Sequence, residues 1–169
     1  DGSTVDDVDM TNQDNNAPGI VLSVVASLTS TSEYGDQMVV QFELLSKPLG
    51  GANVTFPIQI SGDTDEAGLS TDTIFIDDDD WNIPENNRVT ITGLDDEILD
   101  GDIFLVLETG DPASADPSYD GLDETDIADL TFKNTDNDQA GFSLGPISNN
   151  LSEPDNSANF SVVLDIEPN

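Results

Sequence analysis

The 169-residue sequence predicts an all-β fold, an immunoglobulin-like antiparallel β-sandwich of about seven strands. Three observations predict it. Apolar residues recur at every second position in short runs, as on a strand with one face in a core. Clusters of Gly, Pro, Asn and Asp separate the runs, and these residues favour turns. The acids are 27 Asp against 9 Glu, a bias toward the residue that prefers turns and caps over the one that prefers helices.

The elements follow in order. Gly19 to Val25 is the first strand. Met38, Val40, Phe42 and Leu44 alternate with more polar neighbours and make the second. After the turn residues Pro48-Leu49-Gly50-Gly51, the residues Val54, Phe56, Ile58 and Ile60 make the third, closed by Ser61-Gly62-Asp63. Ile74 with Ile76 and Val89 with Ile91 mark the fourth and fifth. Ile103 to Leu107 is apolar on both faces, the reading of a central strand, and ends before Asp111-Pro112. Leu130 and Phe132 mark the last. No window has the helical period, and no run of 18 apolar residues occurs.

Composition narrows the chemistry. There are 36 acids against 3 bases, a formal net charge of −33, with no His and no Cys. Ser-His-Asp and Cys-His nucleophilic centres, ordinary zinc or copper sites, haem ligation and disulfides are thereby excluded. A field this negative repels phosphate backbones and anionic head groups, so nucleic acid and membrane are not expected partners. Cations are. An enzyme would have to work with paired carboxylates, as glycoside hydrolases do, and nothing in the sequence singles out such a pair, so no enzymatic activity is expected.

An internal repeat organises the chain. The segment from Val8 to Ile20 aligns with Leu130 to Phe142 at an offset of 122, and Ser32-Glu33 through Leu44 aligns with Ser152-Glu153 through Leu164 at an offset of 120. The chain is therefore divided into the last strand of a preceding repeat (1–16), a complete repeat (17–138) and the first strands of a following one (139–169). The flanks together lack the middle strands of a second sandwich. This favours a slice of a tandem array, in which each unit contacts its neighbours, over a self-sufficient subunit.

Asp95-Asp96-Glu97-Ile98-Leu99-Asp100-Gly101-Asp102, between Val89-Thr90-Ile91-Thr92-Gly93-Leu94 and Ile103-Phe104-Leu105-Val106-Leu107, resembles the acidic loop of Calx-beta domains. Ser32-Glu33 and Asp136-Asn137-Asp138-Gln139-Ala140-Gly141-Phe142 are similar to that family's early acidic position and its closing Asp-rich stretch. The block from Trp81-Asn82-Ile83-Pro84 to Asn134-Thr135-Asp136-Asn137-Asp138 also resembles tandem repeats of large bacterial extracellular, adhesin-like proteins. The resemblance implies calcium as the cofactor, a bacterial cell surface or extracellular location, and neighbouring repeats in one chain or head-to-tail as partners, with cell-surface or matrix ligands beyond them.

The same resemblance implies the ligands. Asp95 and Asp96 lead, Ile98 offers its backbone carbonyl, Asp100 stands where the family has Glu or Asp, Glu33 reaches in from the early strand, and Asp136 and Asp138 come from the closing one. Asp14 and Glu153 are the equivalents in the partial copies, with Asn16 in place of the second Asp. Asp72 is the nearest candidate for a ligand from the middle loop. Calcium takes six to eight oxygens, and two unit charges about 5 Å apart repel by roughly 3 kcal/mol at an effective dielectric of about 20. Several such pairs rival the roughly 5–15 kcal/mol that stabilises a domain, so a cation would turn a liability into a cross-link.

Other acidic stretches read differently. Asp77-Asp78-Asp79-Asp80 reads as a solvated turn and Trp81 as a packing residue. Asp63-Thr64-Asp65-Glu66-Ala67-Gly68 imitates an EF-hand start but lacks the closing Glu and the flanking helices. The leading expectation is a calcium-stiffened structural repeat of an adhesin, matrix protein or filament. The alternatives are a filament subunit joined by terminal strand exchange, and a calcium-dependent carbohydrate or protein-binding module that would use Tyr34, Tyr119 or Trp81.

Overall fold

Each segment read as a strand lies in one, among twelve strands in the described residues of the computed structural model, which describes residues 16–25, 29–151, 153–154 and 157–166. Those seven are β1 (Ile20–Val25), β3 (Gln37–Leu44), β4 (Val54–Ser61), β6 (Thr73–Ile76), β7 (Arg88–Gly93), β8 (Ile103–Thr109) and β10 (Leu130–Thr135). Three short strands join them: β2 (Thr31–Ser32), β5 (Ala67–Leu69) and β9 (Ala113–Ser114). These have too few residues to show a period, which is why alternation does not reveal them. Helix among the described residues is limited to α1 (Pro117–Asp120) and four 3-10 turns.

These ten strands form two sheets. One runs β1-β3-β7-β5, and the other β2-β10-β8-β4-β6, with β9 also paired to β4. All pairings are antiparallel except β2 with β10. Met38, Val40, Phe42, Leu44, Val89 and Ile91 of the first sheet face Val54, Phe56, Ile58, Ile74, Ile76, Leu105, Leu107 and Phe132 of the second, all buried in one cluster. Phe42 meets Phe56 edge-on across the interface, with ring centroids 5.3 Å apart. The fold is an all-β sandwich whose inward positions alternate with solvated ones.

β8 is central, between β10 and β4, but it is not buried on both faces as expected: Phe104 is exposed. An antiparallel sheet with nothing over its outer face leaves that side to water. The long 111–129 connection is pinned by α1. Asp116 caps the helix at Ser118 N, its other oxygen takes Leu49 N, and Tyr119 is buried with its hydroxyl on the Ser46 carbonyl at 2.6 Å. Tyr119 is thus a packing residue and no part of a ligand platform. Trp81 packs half-buried against the core.

Beyond the sandwich, β11 (Phe142–Leu144) and β12 (Val162–Leu164) pair with each other and with no other strand among the described residues. Their register, Phe142 with Leu164 and Leu144 with Val162, copies that of Ile20 with Leu44 and Leu22 with Phe42. Even the flanking bond is copied: Leu45 N donates to the Gly19 carbonyl at 2.9 Å and Asp165 N to the Gly141 carbonyl at 3.1 Å. Burial is not copied. Ile20 and Leu44 are 5% and 1% exposed, whereas Phe142 and Leu164 are 65% and 58% exposed.

Candidate metal centre

Four segments converge at one end of the sandwich. β2 runs parallel to the end of β10, Thr31 opposite Asn134 and Ser32 opposite Thr135, and Glu33 N donates to the Thr135 carbonyl at 3.1 Å. Glu33 therefore lies beside Asp136, where the chain leaves β10. The 3-10 turn Thr64–Glu66, capped by the Asp63 side chain at Asp65 N, delivers Glu66 into the same space, and Leu94 N holds its carbonyl at 2.9 Å. From Leu94 the chain enters the acidic loop.

Backbone donors shape that loop. Asp96 Oδ1 accepts from Ile98 N at 2.7 Å. Asp136 is held by two amides, Gly101 N on Oδ2 at 2.7 Å and Asp138 N on Oδ1 at 2.6 Å. Gly101 has φ +83°, a left-handed conformation that glycine adopts without penalty. Asn137 ties three segments together: its N–H donates to Glu33 Oε2 and its Nδ2 to Asp95 Oδ1, both at 2.8 Å.

The result is two overlapping groups of carboxylates. Glu33, Asp136 and Asp138 each offer an oxygen within 4.8 Å of the others, and so do Glu33, Glu66 and Asp100. Glu33 belongs to both. Glu33 and Glu66 are only 3% and 4% exposed, although charged side chains are rarely so buried without a counter-charge. No base supplies one. The chain's three bases are engaged elsewhere: Lys47 with Asp78 and Asp79, Arg88 with Gln41, and Lys133 with Asp102.

The electrostatics follow from that packing. Burial pushes the Glu33 carboxyl up, against a bond from Asn137, and Asp136, Glu66 and Asp96 push it further. Burial likewise raises Glu66, opposed by Asn134 and reinforced by Asp100 and Asp96. Asp100 is raised by burial, then by Asp96 and Asp136, and Asp138 by burial, then by Asp136, Asp95 and Asp96. Asp138 Oδ2 is buried with no hydrogen-bond partner. An orphaned oxygen, all-oxygen donors and uncompensated negative charge fit a hard divalent cation.

Of the residues expected as ligands, Glu33, Asp100, Asp136 and Asp138 lie in these groups, and Asp96 borders them. Asp95 belongs to neither group, its Oδ1 being taken by Asn137. The Ile98 carbonyl accepts Asp100 N at 3.0 Å, which leaves one lone pair. Asp14 lies outside the described residues. Glu153 is exposed, far along the chain in the loop between β11 and β12, and joins no carboxylate group among the described residues. Asp72 is exposed and accepts from its neighbour Thr73, while the middle segment contributes Glu66 instead. The signal for Glu66 lay in Asp63-Thr64-Asp65, a local turn that ends on an acid at the start of a short strand.

Asp77, Asp78 and Asp79 also lie close together, but Lys47 is 3.4 Å from Asp78 and 3.7 Å from Asp79, and Asp77 caps Asp79 N. A cation of the protein's own already serves that turn. Comparison with protein-family models gives no match to the chain, and comparison with curated proteins gives none.

Proposed function

We propose that this chain is a non-enzymatic, calcium-binding structural repeat of the Calx-beta type, with an immunoglobulin-like strand layout, that stiffens an extracellular adhesin, matrix protein or filament. One observation carries the reading. The uncompensated carboxylates, with the orphaned Asp138 Oδ2 among them, join the sandwich to the segment that leads into the next strand pair. Glu33, Glu66, Asp96, Asp100, Asp136 and Asp138 would hold the ion, and the ion would supply the positive charge that no side chain provides. The layout reading rests on a first strand split between sheets as β1 and β2, and on β3-β7 packed against β4-β8-β10.

The β11–β12 pair, with the register of β1–β3 and none of its cover, is what the opening hairpin of a following repeat would look like. A second reading shares that observation: in a filament of separate subunits, strands of a neighbouring copy would cover the hairpin. A carbohydrate-binding module has less support, because Tyr119 is buried, Trp81 half-buried, and the exposed Tyr34 sits beside Glu33 at the acidic end.

Thermal melting in calcium and in excess chelator tests the function. A ligand at 100 times its Kd stabilises the folded state by about 2.7 kcal/mol, so chelation should lower the midpoint by several degrees. An unchanged midpoint overturns the calcium reading. Sedimentation in calcium separates array from filament, since a subunit that exchanges strands assembles with concentration and an array segment stays monomeric.

A further inference from the structure

Position 134 lies in the inward phase of β10, two residues after buried Phe132, where an apolar side chain belongs. The chain has Asn134 there, at 0% exposure. A buried amide destabilises unless it is hydrogen-bonded. Asn134 Nδ2 donates to Glu66 Oε2 at 2.8 Å and, more distantly, to the Leu94 carbonyl at 3.4 Å, while Oδ1 has no partner. Its space exists because residue 93 is glycine: a Cβ there would stand 2.5 Å from Asn134 Oδ1 and 2.1 Å from the Ser32 carbonyl oxygen. Two choices that weaken a core strand, an asparagine and a glycine, thus converge on a single bond to one carboxylate.

We propose that Asn134 is a positioning residue of the cation site, holding Glu66 toward Glu33 and Asp100 by occupying one of its oxygens with a neutral donor. This rests on the calcium reading above. A lysine or arginine would anchor Glu66 as well but would cancel the charge that draws the ion. The amide leaves that charge intact. Partners of ligating groups act in this way generally, by fixing the ligand's orientation.

A double-mutant cycle on the whole chain tests it, with Asn134→Leu, Glu66→Gln and the combination, each titrated with calcium by calorimetry. Asn134→Leu, which keeps the branched shape of the side chain and removes its donor, should weaken binding by about 10–100-fold. In the Glu66→Gln background it should cause no further loss. In chelator, urea unfolding should show the two substitutions non-additive, because the Asn134–Glu66 bond needs no ion. Where Asn134→Leu does not fold, Asn134→Ser takes its place in the same cycle. Unaltered affinity in the single variant, or the same loss in both backgrounds, overturns the proposal while leaving the calcium reading intact. A wild-type chain that takes up no calcium overturns the calcium reading, and the proposal with it.

Discussion

Glu33 Oε2 accepts the backbone N–H of Asn137 at 2.8 Å, joining the residue after the second strand to the segment that leaves the tenth. The bond places a buried carboxylate at the exit from the sandwich, so whatever neutralises Glu33 also governs the joint. Glu33 is the one acid shared by both carboxylate groups. Glu33→Gln should therefore weaken calcium binding on the order of 100-fold, at the upper end of the effect of disturbing a metal ligand's partner. Asp95→Asn, altering a residue in neither group, should do less. Calorimetric titration of both variants checks the ranking, and a larger effect at Asp95 would count against it.

The raised carboxylates set a pH dependence. Glu33, Glu66, Asp100 and Asp138 have folded-state values above the ordinary 4.5 or 3.8 of Glu and Asp, mainly through burial. In the window above those ordinary values the folded chain holds more protons than the unfolded one, so stability falls as pH rises through the raised values. Glu108, Asp116 and Asp123, which hydrogen bonds lower, act only at more acid pH. The chelated chain should melt higher near pH 5 than near pH 8, and saturating calcium should shrink or reverse the difference. A chelated midpoint that climbs from pH 5 to 8 contradicts this.

Gly93 is open to a sharp steric test. A Cβ there would lie 2.1 Å from the backbone oxygen of Ser32, an atom that a side-chain rotation cannot move away. Gly93→Ala should destabilise the chelated protein by about 1–3 kcal/mol, the scale of overpacking in a core. Urea unfolding measures it, and a loss below 0.5 kcal/mol, the usual range of surface changes, would show that β2 can withdraw freely.

Leu44 and Leu164 are equivalent in register and opposite in burial. Leu44→Ala should cost about 2–5 kcal/mol and Leu164→Ala no more than about 0.5. Amide exchange should follow the same division, slow in β3 and β8 and fast in β11 and β12, because a lone two-stranded hairpin is barely stable in water. Slow exchange in β11 would mean that its apolar face is covered in solution.

Much of the sandwich was legible because strand alternation is a local signal. Val54, Phe56 and Ile58 declare their inward face in five consecutive residues, and turn chemistry at Gly50-Gly51 and Ser61-Gly62 bounds them. The short strands β2, β5 and β9 are held by pairing with distant partners and carry no period of their own. The site shows the same contrast. Asp136 and Asp138 fall in a stretch that resembles the closing one of Calx-beta domains, whereas Glu66 is one acid among many along the chain and only the turn beginning at Asp63 brings it near Asp100.

By itself the sequence determined the β class, the large excess of negative charge and the correspondence of segments at intervals of 120 and 122 residues, since each depends on residue type and on intervals along the chain. Only the tertiary structure decided which acids share a space, that Glu66 and not Asp72 joins a carboxylate group, that Asn137 engages Asp95, and that the β11–β12 pair lies exposed among the described residues. Those are distances between segments separated by tens of residues. They are set by how β2 meets β10 and how the turn at Glu66 meets Leu94, which no local pattern encodes.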